Sequence, residues 1–512
     1  MPVTLATEHA FIERLNKMYQ PKLNEFLKLT KKGNVIPVYR EINADLDTPV
    51  SAFIKSGKSE YAFLFESVDG GEKIARFSFI GSNPSLVFKS KGRRIQIEYP
   101  QKKRSHSFLT KSSPLDEIKK IMRDFKSVEV PGLPRFYGGL VGYIGYDLVR
   151  FFEKLPDKNK DDLKLPDSVL MLTDTILIFD HINHTVKIVT NIILPKKTIS
   201  DAQKKRIYDQ AVKKIESIDA AFRNPTKLQE PRNDRKTGKE NVRSNFKKAA
   251  FKNIVKKAKD YIKKGDVIQV VLSQRFQVKI KKSPFQIYRN LRSLNPSPYM
   301  FFLKLKETSL IGSSPEMLVR CEGEVVQTRP IAGTRPRGRS EEGDRRLERE
   351  LLSDSKEKAE HIMLVDLGRN DLGRVCRKGE VKVHEFMNVE KYSHVMHLVS
   401  EVRGKLDKKL YDIYDVLKAC FPAGTVAGSP KIRAMEIIDE LENIKRGPYA
   451  GCVGYFSFSH NIDTCITIRT IVLKGSTAYV QAGAGIVADS VPEREYFESV
   501  NKSKALIEAI VK

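Results

Sequence analysis

Residues 267–280 alternate apolar and polar side chains with a period of two. Apolar residues occupy nearly all the even positions, whereas the odd positions include Gln269, Ser273 and Arg275. This period is typical of a β-strand with one apolar and one polar face, and it does not fit a helix. We expect the same sheet to continue through the strand-like runs 299–306, 309–320 and 324–328.

Residues 223–243 divide the chain into two parts. This segment is rich in Asn, Pro, Lys, Arg and Gly and has almost no large apolar residue, as in a solvated linker or mobile loop. Residues 1–222 combine helical patterns with short strand-like runs, among them 35–39, 61–65, 75–80, 85–88 and 169–172. We therefore predict an N-terminal domain 1–222, a basic linker 223–243 and a C-terminal domain 244–512.

The chain is strongly basic, with 91 Lys and Arg against 63 Asp and Glu and a formal net charge of +28. Such a balance fits either a nucleic-acid partner or an enzyme whose cationic surface attracts acidic substrates. The densest basic runs, 102–104, 247–264 and 279–282, lack the regular aromatic interleaving of a base-stacking platform. We therefore do not expect nucleic acid as the partner.

Cysteine usage and the chain start indicate the compartment. The five cysteines form no CxxC pair and no zinc-binding spacing, which favours reduced thiols. Glu8 and Glu13 argue against a transit peptide, and no apolar run reaches the roughly 20 residues that span a bilayer. We expect a cytoplasmic protein without a membrane segment.

Residues 328–338 carry two prolines and two glycines that fix a tight path for the chain. Arg329, Thr334, Arg335 and Arg337 place hydrogen-bond donors along this path, as in a site for a carboxylate or phosphate. The same composition also fits an arginine-rich surface loop that serves solubility, so this segment alone leaves both interpretations open.

Two predicted helices each carry a pair of glutamates three residues apart, hence on one helical face. Glu357 and Glu360 lie in the charged helical segment 341–375, and Glu495 and Glu498 lie near the end of the chain. Together they could hold a hard cation such as Mg²⁺ through oxygen ligands. Pairs of this kind are also common on solvated helix faces.

Residues 483–488 match the dinucleotide fingerprint GxGxxA, but the chain leaves no room for the second strand of a βαβ unit. We therefore reject NAD binding, and expect Gly483 and Gly485 to bring backbone N–H groups close to a carboxylate. Arg469 is predicted on a strand-like segment, either as an edge residue or as a buried anion clamp.

Taken together, these residues resemble the chorismate-utilising enzymes, and among them the anthranilate synthase component I family. The resemblance covers nearly the whole chain through ordered motifs at 63–67, 76–81, 265–275, 313–317, 328–338, 359–371, 395–400, 422–425 and 481–485. It implies an α+β fold with large antiparallel sheets packed by helices and an interwoven N-terminal regulatory domain. It also implies a cleft for chorismate and Mg²⁺ in the C-terminal part.

The resemblance assigns a role to each residue that matches a family motif. Glu360 and Glu498 would be the closest Mg²⁺ ligands, with Glu357 and Glu495 acting directly or through water. Glu316 would be the general acid, His397 would assist elimination of pyruvate and Thr334 would serve the substrate. Chorismate would be held by Gly333, Thr425, Tyr449, Arg469, Gly483 and Gly485. Without its motif, His397 would be interpreted as a core histidine.

Two positions select the nucleophile within the family. Related enzymes of the folate route carry a lysine at the position of Ala332, and isochorismate and salicylate synthases carry one at that of Gln269. Neither lysine is present, which leaves free ammonia as the attacking group. Aminodeoxychorismate and isochorismate or salicylate synthases are the alternatives, and a basic nucleic-acid-binding protein is the alternative of a different class.

The resemblance also implies partners and an inhibitor. No cysteine lies in the Gly-rich elbow of a glutaminase, so a separate glutamine amidotransferase subunit is expected, in a heterotetramer. Motifs at 63–67 and 295–300 match a two-part feedback site for tryptophan, which implies binding by Glu66, Ser67, Pro298, Tyr299 and Met300.

Overall fold

The computed structural model describes residues 18–57, 59–67, 76–223, 242–392 and 395–512. These residues form twelve α-helices, two short 3-10 helices and 24 β-strands. The α-helices are α1 (Leu23–Leu29), α2 (Pro49–Ser56), α3 (Pro114–Arg123), α4 (Asp201–Arg223), α5 (Lys248–Lys263), α6 (Pro284–Leu294), α7 (Glu341–Ser353), α8 (Ser355–Gly373), α9 (Ile413–Cys420), α10 (Gly424–Ala427), α11 (Lys431–Leu441) and α12 (Pro492–Val511). The 3-10 helices span Pro100–Lys102 and Tyr146–Phe151.

The strands fall on both sides of the predicted linker. Those before it are β1 (Val35–Asn43), β2 (Tyr61–Glu66), β3 (Phe77–Ser82), β4 (Leu86–Lys91), β5 (Arg94–Tyr99), β6 (Arg104–Leu109), β7 (Gly139–Ile144), β8 (Ser168–Thr173), β9 (Thr175–Asp180) and β10 (Thr185–Ile193). Those after it are β11 (Arg243–Ser244), β12 (Gln269–Lys279), β13 (Tyr299–Leu305), β14 (Thr308–Ser314), β15 (Met317–Glu322), β16 (Val325–Thr328), β17 (Ile331–Pro336), β18 (Lys382–Lys391), β19 (Val395–Lys405), β20 (Gly428–Ser429), β21 (Cys452–Ser457), β22 (Ile462–Ile466), β23 (Thr470–Lys474) and β24 (Thr477–Ile486).

The strands build two 12-stranded sheets. The first has the order β1-β10-β9-β3-β2-β13-β14-β23-β24-β12-β11, with β20 paired to β12. The second has the order β17-β19-β16-β15-β22-β21-β7-β8-β4-β5-β6, with β18 paired to β19. Neighbouring strands within the sheets are antiparallel, which confirms the predicted α+β fold with large antiparallel sheets.

Each sheet contains strands from both sides of the predicted linker. In the first sheet, β2 pairs with β13, so that Phe63 lies opposite Leu303. In the second, β7 pairs with β21, so that Ile144 lies opposite Cys452. The two parts are therefore interwoven through backbone hydrogen bonds. The predicted domain boundary at 223–243 lies almost entirely outside the described residues and stays a prediction.

The largest apolar core lies between the two sheets. Strand β2 shows how one strand serves two layers: Phe63 belongs to the core shared with the second sheet, whereas Leu64 belongs to a core on the outer face. That outer core is completed by helices, for example by Tyr288 of α6 and Leu506 of α12. Both faces of the first sheet are thus buried, which explains the continuous apolar run of β2.

Three predicted elements that carry the site are confirmed. The alternating segment forms β12, and its residue Gln269 faces a large cleft. The charged segment 341–375 forms α7 and α8, which are separated at Asp354; this residue caps α8 by accepting from the amides of Lys356 and Glu357. The predicted helix with Glu495 and Glu498 forms α12, which begins at Pro492. Within the described residues, no helix combines the length and apolarity needed to cross a bilayer.

Candidate active site

A cleft of about 570 Å³ lies where β12, β17, β19 and β24 meet the N-terminal ends of α8 and α12. Its walls contain every residue predicted to act in catalysis, substrate binding or metal binding: Glu316, Gly333, Thr334, Glu357, Glu360, His397, Thr425, Tyr449, Arg469, Gly483, Gly485, Glu495 and Glu498. The fold therefore brings together residues that are far apart in the sequence.

Glu316 lies in the link between β14 and β15, and its side chain is buried. The link is held by the Ile466 amide, which donates to the Glu316 carbonyl at 3.0 Å. Burial raises the pKa of Glu316 to about 8, against the opposing effects of the Thr425 hydroxyl and the Lys502 charge. Glu316 therefore keeps its proton at neutral pH, as a general acid must.

His397 on β19 lies opposite Thr334 on β17. Its Nδ1 lies 2.9 Å from the Gly333 carbonyl oxygen and 3.0 Å from Thr334 Oγ1. Because a carbonyl oxygen only accepts, Nδ1 carries the proton and Nε2 keeps its lone pair. Burial lowers the pKa of His397; the Gly333 carbonyl opposes this effect, and Arg469 adds to it. Burial therefore favours the neutral form of the ring.

Both the backbone conformation and the surrounding side chains require a glycine at position 333. Its φ of +62° lies in the left-handed region, and a Cβ there would lie 2.9 Å from Leu351 Cδ1 and 3.2 Å from Glu357 Oε2. A side chain at this position would displace the acceptor of His397 and press on the first glutamate of α8.

The four glutamates lie near the N-terminal ends of α8 and α12, where the helix dipole favours negative charge. Burial raises the pKa of Glu357 and of Glu495, and repulsion from Glu360 and Glu498, respectively, adds to the increase. Cations and amides partly compensate this charge. Arg335 donates to Glu357 at 3.3 Å, Gln269 to Glu360 at 3.1 Å and Lys502 to Glu498 at 2.6 Å.

The donor chemistry of these glutamates suits Mg²⁺. Among the described residues, no three His, Cys, Asp or Glu side chains are grouped closely enough to hold a metal ion by themselves. Mg²⁺ does not need such a group, because it usually binds one or two carboxylates together with water and substrate oxygens. A glutamate from each helix would satisfy this requirement, and the metal role stays a prediction.

A part of the cleft wall next to α12 can receive an anion. The prediction that Arg469 lies on a strand is wrong. Arg469 lies in the turn between β22 and β23, with a left-handed φ of +49°. Its backbone carbonyl still accepts from the Ser313 amide of β14 at 3.0 Å, and its Nη1 donates to the Lys502 carbonyl at 2.7 Å. A Cβ on Gly483 would lie 2.9 Å from Tyr449 Oη, and one on Gly485 would lie 2.5 Å from Gln269 Nε2. Only glycines keep this backbone accessible.

The arginines of 328–338 do not line the cleft, so that part of the anion-site prediction is wrong. Arg335 pairs with Glu350, Asp354 and Glu357, Arg337 pairs with Asp344, and Arg329 pairs with Glu390. Each finds a carboxylate on a neighbouring helix or strand. The segment instead presents Ile331, Ala332, Gly333 and Thr334 of β17 to the cleft.

Sequence reasoning missed two lysines of the cleft, Lys356 and Lys502. Lys502 Nζ donates to the Gly483 carbonyl at 3.2 Å as well as to Glu498. It follows Glu498 by four residues on the same helix, a spacing that brings side chains together. This spacing in the sequence could have indicated that Lys502 lies beside Glu498.

The comparisons with known proteins agree with this site. The chorismate binding enzyme family model matches residues 60–508. Over 499 residues the chain is 50% identical to anthranilate synthase component 1 of Acetivibrio thermocellus, covering 96% of this chain and 99% of that protein. The chain belongs to the anthranilate synthase component I family of chorismate-binding enzymes.

Solved structures of chorismate-binding enzymes show the same fold. Anthranilate synthase component I of Streptococcus pneumoniae superposes with a TM-score of 0.74 at 37% identity, covering 84% of this chain and 92% of that chain. The menaquinone-specific isochorismate synthase of Escherichia coli superposes with a TM-score of 0.67 at 19% identity, covering 96% and 99%. The second likeness shows the fold alone.

A second pocket, of about 70 Å³, lies between the sheets. All the residues predicted to bind tryptophan line it: Glu66, Ser67, Pro298, Tyr299 and Met300. Glu66 is buried and accepts from the Tyr288 hydroxyl and from Arg292 Nε. The Ser67 hydroxyl is buried without a hydrogen-bond partner among the described residues. The pocket thus combines apolar lining residues with buried polar groups.

We expect the Glu316 carboxyl to titrate with a midpoint of about pH 8. Burial penalises the carboxylate, so the folded protein holds the proton below this pH and releases it above. Infrared difference spectra between wild type and Glu316→Gln, recorded from pH 5 to 10, would show the protonated carboxyl band disappear near pH 8. A band already lost at pH 6 would contradict the burial argument.

Proposed function

We propose that the chain is the synthase subunit that converts chorismate and ammonia to anthranilate and pyruvate, in tryptophan biosynthesis. The observation that carries this proposal is the cleft itself. It combines a protonated acid, Glu316, with an anion-binding wall, and presents Gln269 and Ala332 at the positions where related enzymes place a lysine. The names of the similar proteins support the same reaction.

The first step needs a proton donor. Ammonia adds at C2 of the ring while the hydroxyl at C4 leaves, and that oxygen must be protonated to depart as water. Glu316 supplies this proton, because burial keeps its carboxyl neutral at working pH.

The second step needs a base. The C2 proton of the amino intermediate is removed, the bond between the ring and the enolpyruvyl oxygen breaks, and the ring becomes aromatic as pyruvate departs. His397 is suited to this role because the Gly333 carbonyl fixes its tautomer and leaves Nε2 free.

Binding of the substrate uses two groups of residues in the cleft. Arg469, Tyr449 and the backbone at Gly483 and Gly485 hold the enolpyruvyl carboxylate. The glutamates of α8 and α12 would hold Mg²⁺, which when bound would neutralise the ring carboxylate. Without a cation, this carboxylate would face like charges, and binding would be opposed by repulsion.

Ammonia comes from a separate glutamine amidotransferase subunit, in a heterotetramer. The five cysteines, Cys321, Cys376, Cys420, Cys452 and Cys465, are all buried free thiols. Burial raises the pKa of Cys321 and of Cys452 to about 12, the opposite of what a thiolate nucleophile requires. This chemistry supports a glutaminase on another chain, and the free thiols support a reducing, cytoplasmic compartment.

The pocket between the sheets supports feedback inhibition by tryptophan. Its apolar lining suits an indole ring, the buried Glu66 carboxylate suits the ammonium group, and the unpartnered Ser67 hydroxyl can hydrogen-bond the amino acid backbone.

We expect the purified chain to form fluorescent anthranilate from chorismate, Mg²⁺ and an ammonium salt. Glu498→Gln should lower the rate by at least about 100-fold, because loss of a carboxylate removes a ligand for the ion. The measurement is fluorescence, with product identity from chromatography.

Glu508→Gln, an exposed glutamate on the same helix, is the matched control and should leave the rate unchanged. Aminodeoxychorismate, isochorismate or salicylate as the sole product would reject the proposed reaction. An undiminished rate in Glu498→Gln would remove this residue from the metal site.

Ser67→Ala should weaken tryptophan inhibition by at least about tenfold, since a hydrogen bond to a charged ligand contributes about 1.5–3 kcal/mol. The uninhibited rate should stay close to that of wild type. Inhibition curves would also be measured for Ser82→Ala, on the neighbouring strand β3 but outside the pocket lining. Equal inhibition of Ser67→Ala and wild type would place the tryptophan site elsewhere.

A further inference from the structure

Arg446 is a charged residue that is only 3% exposed, in the link between α11 and β21. Its guanidinium makes a two-point contact with Glu442, through Nε at 3.0 Å and Nη2 at 2.6 Å. The guanidinium carbon lies 4.9 Å from the ring centre of Tyr146 and 5.5 Å from that of Tyr449. The arginine is therefore fixed from several sides.

The other donors of Arg446 hold two segments of the cleft wall. Nη1 donates to the Val426 carbonyl and Nη2 to the Val271 carbonyl, each at 2.7 Å. Val426 and Val271 both line the cleft. Val426 follows Thr425 in the chain, and Val271 lies opposite Gly485 in the pairing of β12 with β24. One side chain thus ties both segments together from behind.

Glu442 extends the same support along β12. Its Oε1 accepts from the backbone amide and from the hydroxyl of Ser273, each at 2.8 Å. Ser273 lies opposite Gly483 on β24, and its hydroxyl accepts from Gln481 Nε2 at 2.9 Å. Gly483 and Gly485 therefore lie on β24 directly beside the part of β12 that the ion pair fixes.

We propose that Arg446, together with Glu442, is a positioning residue for the substrate carboxylate site; the proposal rests on the proposed function. Arg446 does not bind the substrate, since its donors are directed to Glu442, Val426 and Val271. It sets the position of the Tyr449 ring and of the strand beside Gly483 and Gly485. A buried ion pair is often no better for stability than apolar residues of the same volume, so a role in geometry accounts for it better.

The test is the affinity for chorismate, measured by calorimetry with the full chain and Mg²⁺ but without ammonium. Arg446→Lys keeps the charge but loses the planar fork, and we expect its dissociation constant to rise at least tenfold. The matched control is Arg40→Lys. Arg40 likewise pairs with a buried carboxylate, Asp219 at 3.1 Å, and lies 6.0 Å from the ring centre of Tyr19, but it does not line the cleft. The affinity of the Arg40→Lys variant for chorismate should equal that of wild type.

A double-mutant cycle separates positioning from general destabilisation. If Arg446 acts through Tyr449, Arg446→Lys should weaken binding much less in a Tyr449→Ala background than in wild type. Equal losses in both backgrounds would overturn the part of the proposal that acts through Tyr449. A loss in Arg40→Lys equal to that in Arg446→Lys, or unchanged affinity in a folded Arg446→Lys, would overturn the whole proposal. The midpoint of thermal unfolding shows whether each variant is folded.

Should Arg446→Lys fail to fold, Ser273→Ala gives the decision, because it removes only the hydroxyl between Glu442 and Gln481. Binding weakened severalfold supports the proposal, and unchanged binding overturns it. Wild-type product analysis is a separate result. A wild type that binds chorismate with the expected Arg446 dependence but releases another product rejects the proposed function and keeps the positioning role.

Discussion

The backbone hydrogen bonds between β2 and β13 and between β7 and β21 join the two parts of the chain. Each pairing continues a large sheet across the predicted domain boundary, and the apolar residues of both sheets then pack against each other. Neither part alone could form these backbone hydrogen bonds, so each of these strands would expose a row of unpaired amides and carbonyls. Both pockets of the protein depend on this arrangement.

The smaller pocket lies at one of these junctions. Glu66 on β2 pairs with Met300 on β13, so its walls come from both parts of the chain. From there the path to the proposed general acid is short: Tyr299 lies opposite Ser314 on β14, and Ser314 is two residues before Glu316. A ligand that shifts β13 would thus act on the segment that carries Glu316, which is the physical basis for the proposed inhibition.

The sequence allowed much of the site to be predicted, because its chemistry lies in local motifs. The glutamate pairs have helical spacing, the polar face of β12 follows from its period of two, and the family motifs located Glu316 and His397. Contacts between distant segments were not predictable in this way. The partners of the three arginines in 328–338 come from α7, α8, the residue between these helices and β18, and only the folded chain shows that they neutralise carboxylates.

Local conformation also limited the prediction. The apolar residues around Arg469 suggested a strand, but the chain turns there with a left-handed φ, which no residue type at that position indicates. Similarly, Arg446 lies in an unremarkable link, and its importance arises from contacts with Val271, Val426 and Glu442. Long-range packing decides such roles.

In the proposed function, one cleft built from distant segments holds chorismate between the glutamates of α8 and α12 and the side chains of Arg469 and Tyr449. A crystal structure of the Glu316→Gln variant with Mg²⁺ and chorismate would show this directly, since the variant blocks turnover but retains binding. We expect the ion between Glu360 and Glu498, with the enolpyruvyl carboxylate at Arg469 and Tyr449. Chorismate bound outside the cleft, or with its carboxylates away from these residues, would rule out this binding mode.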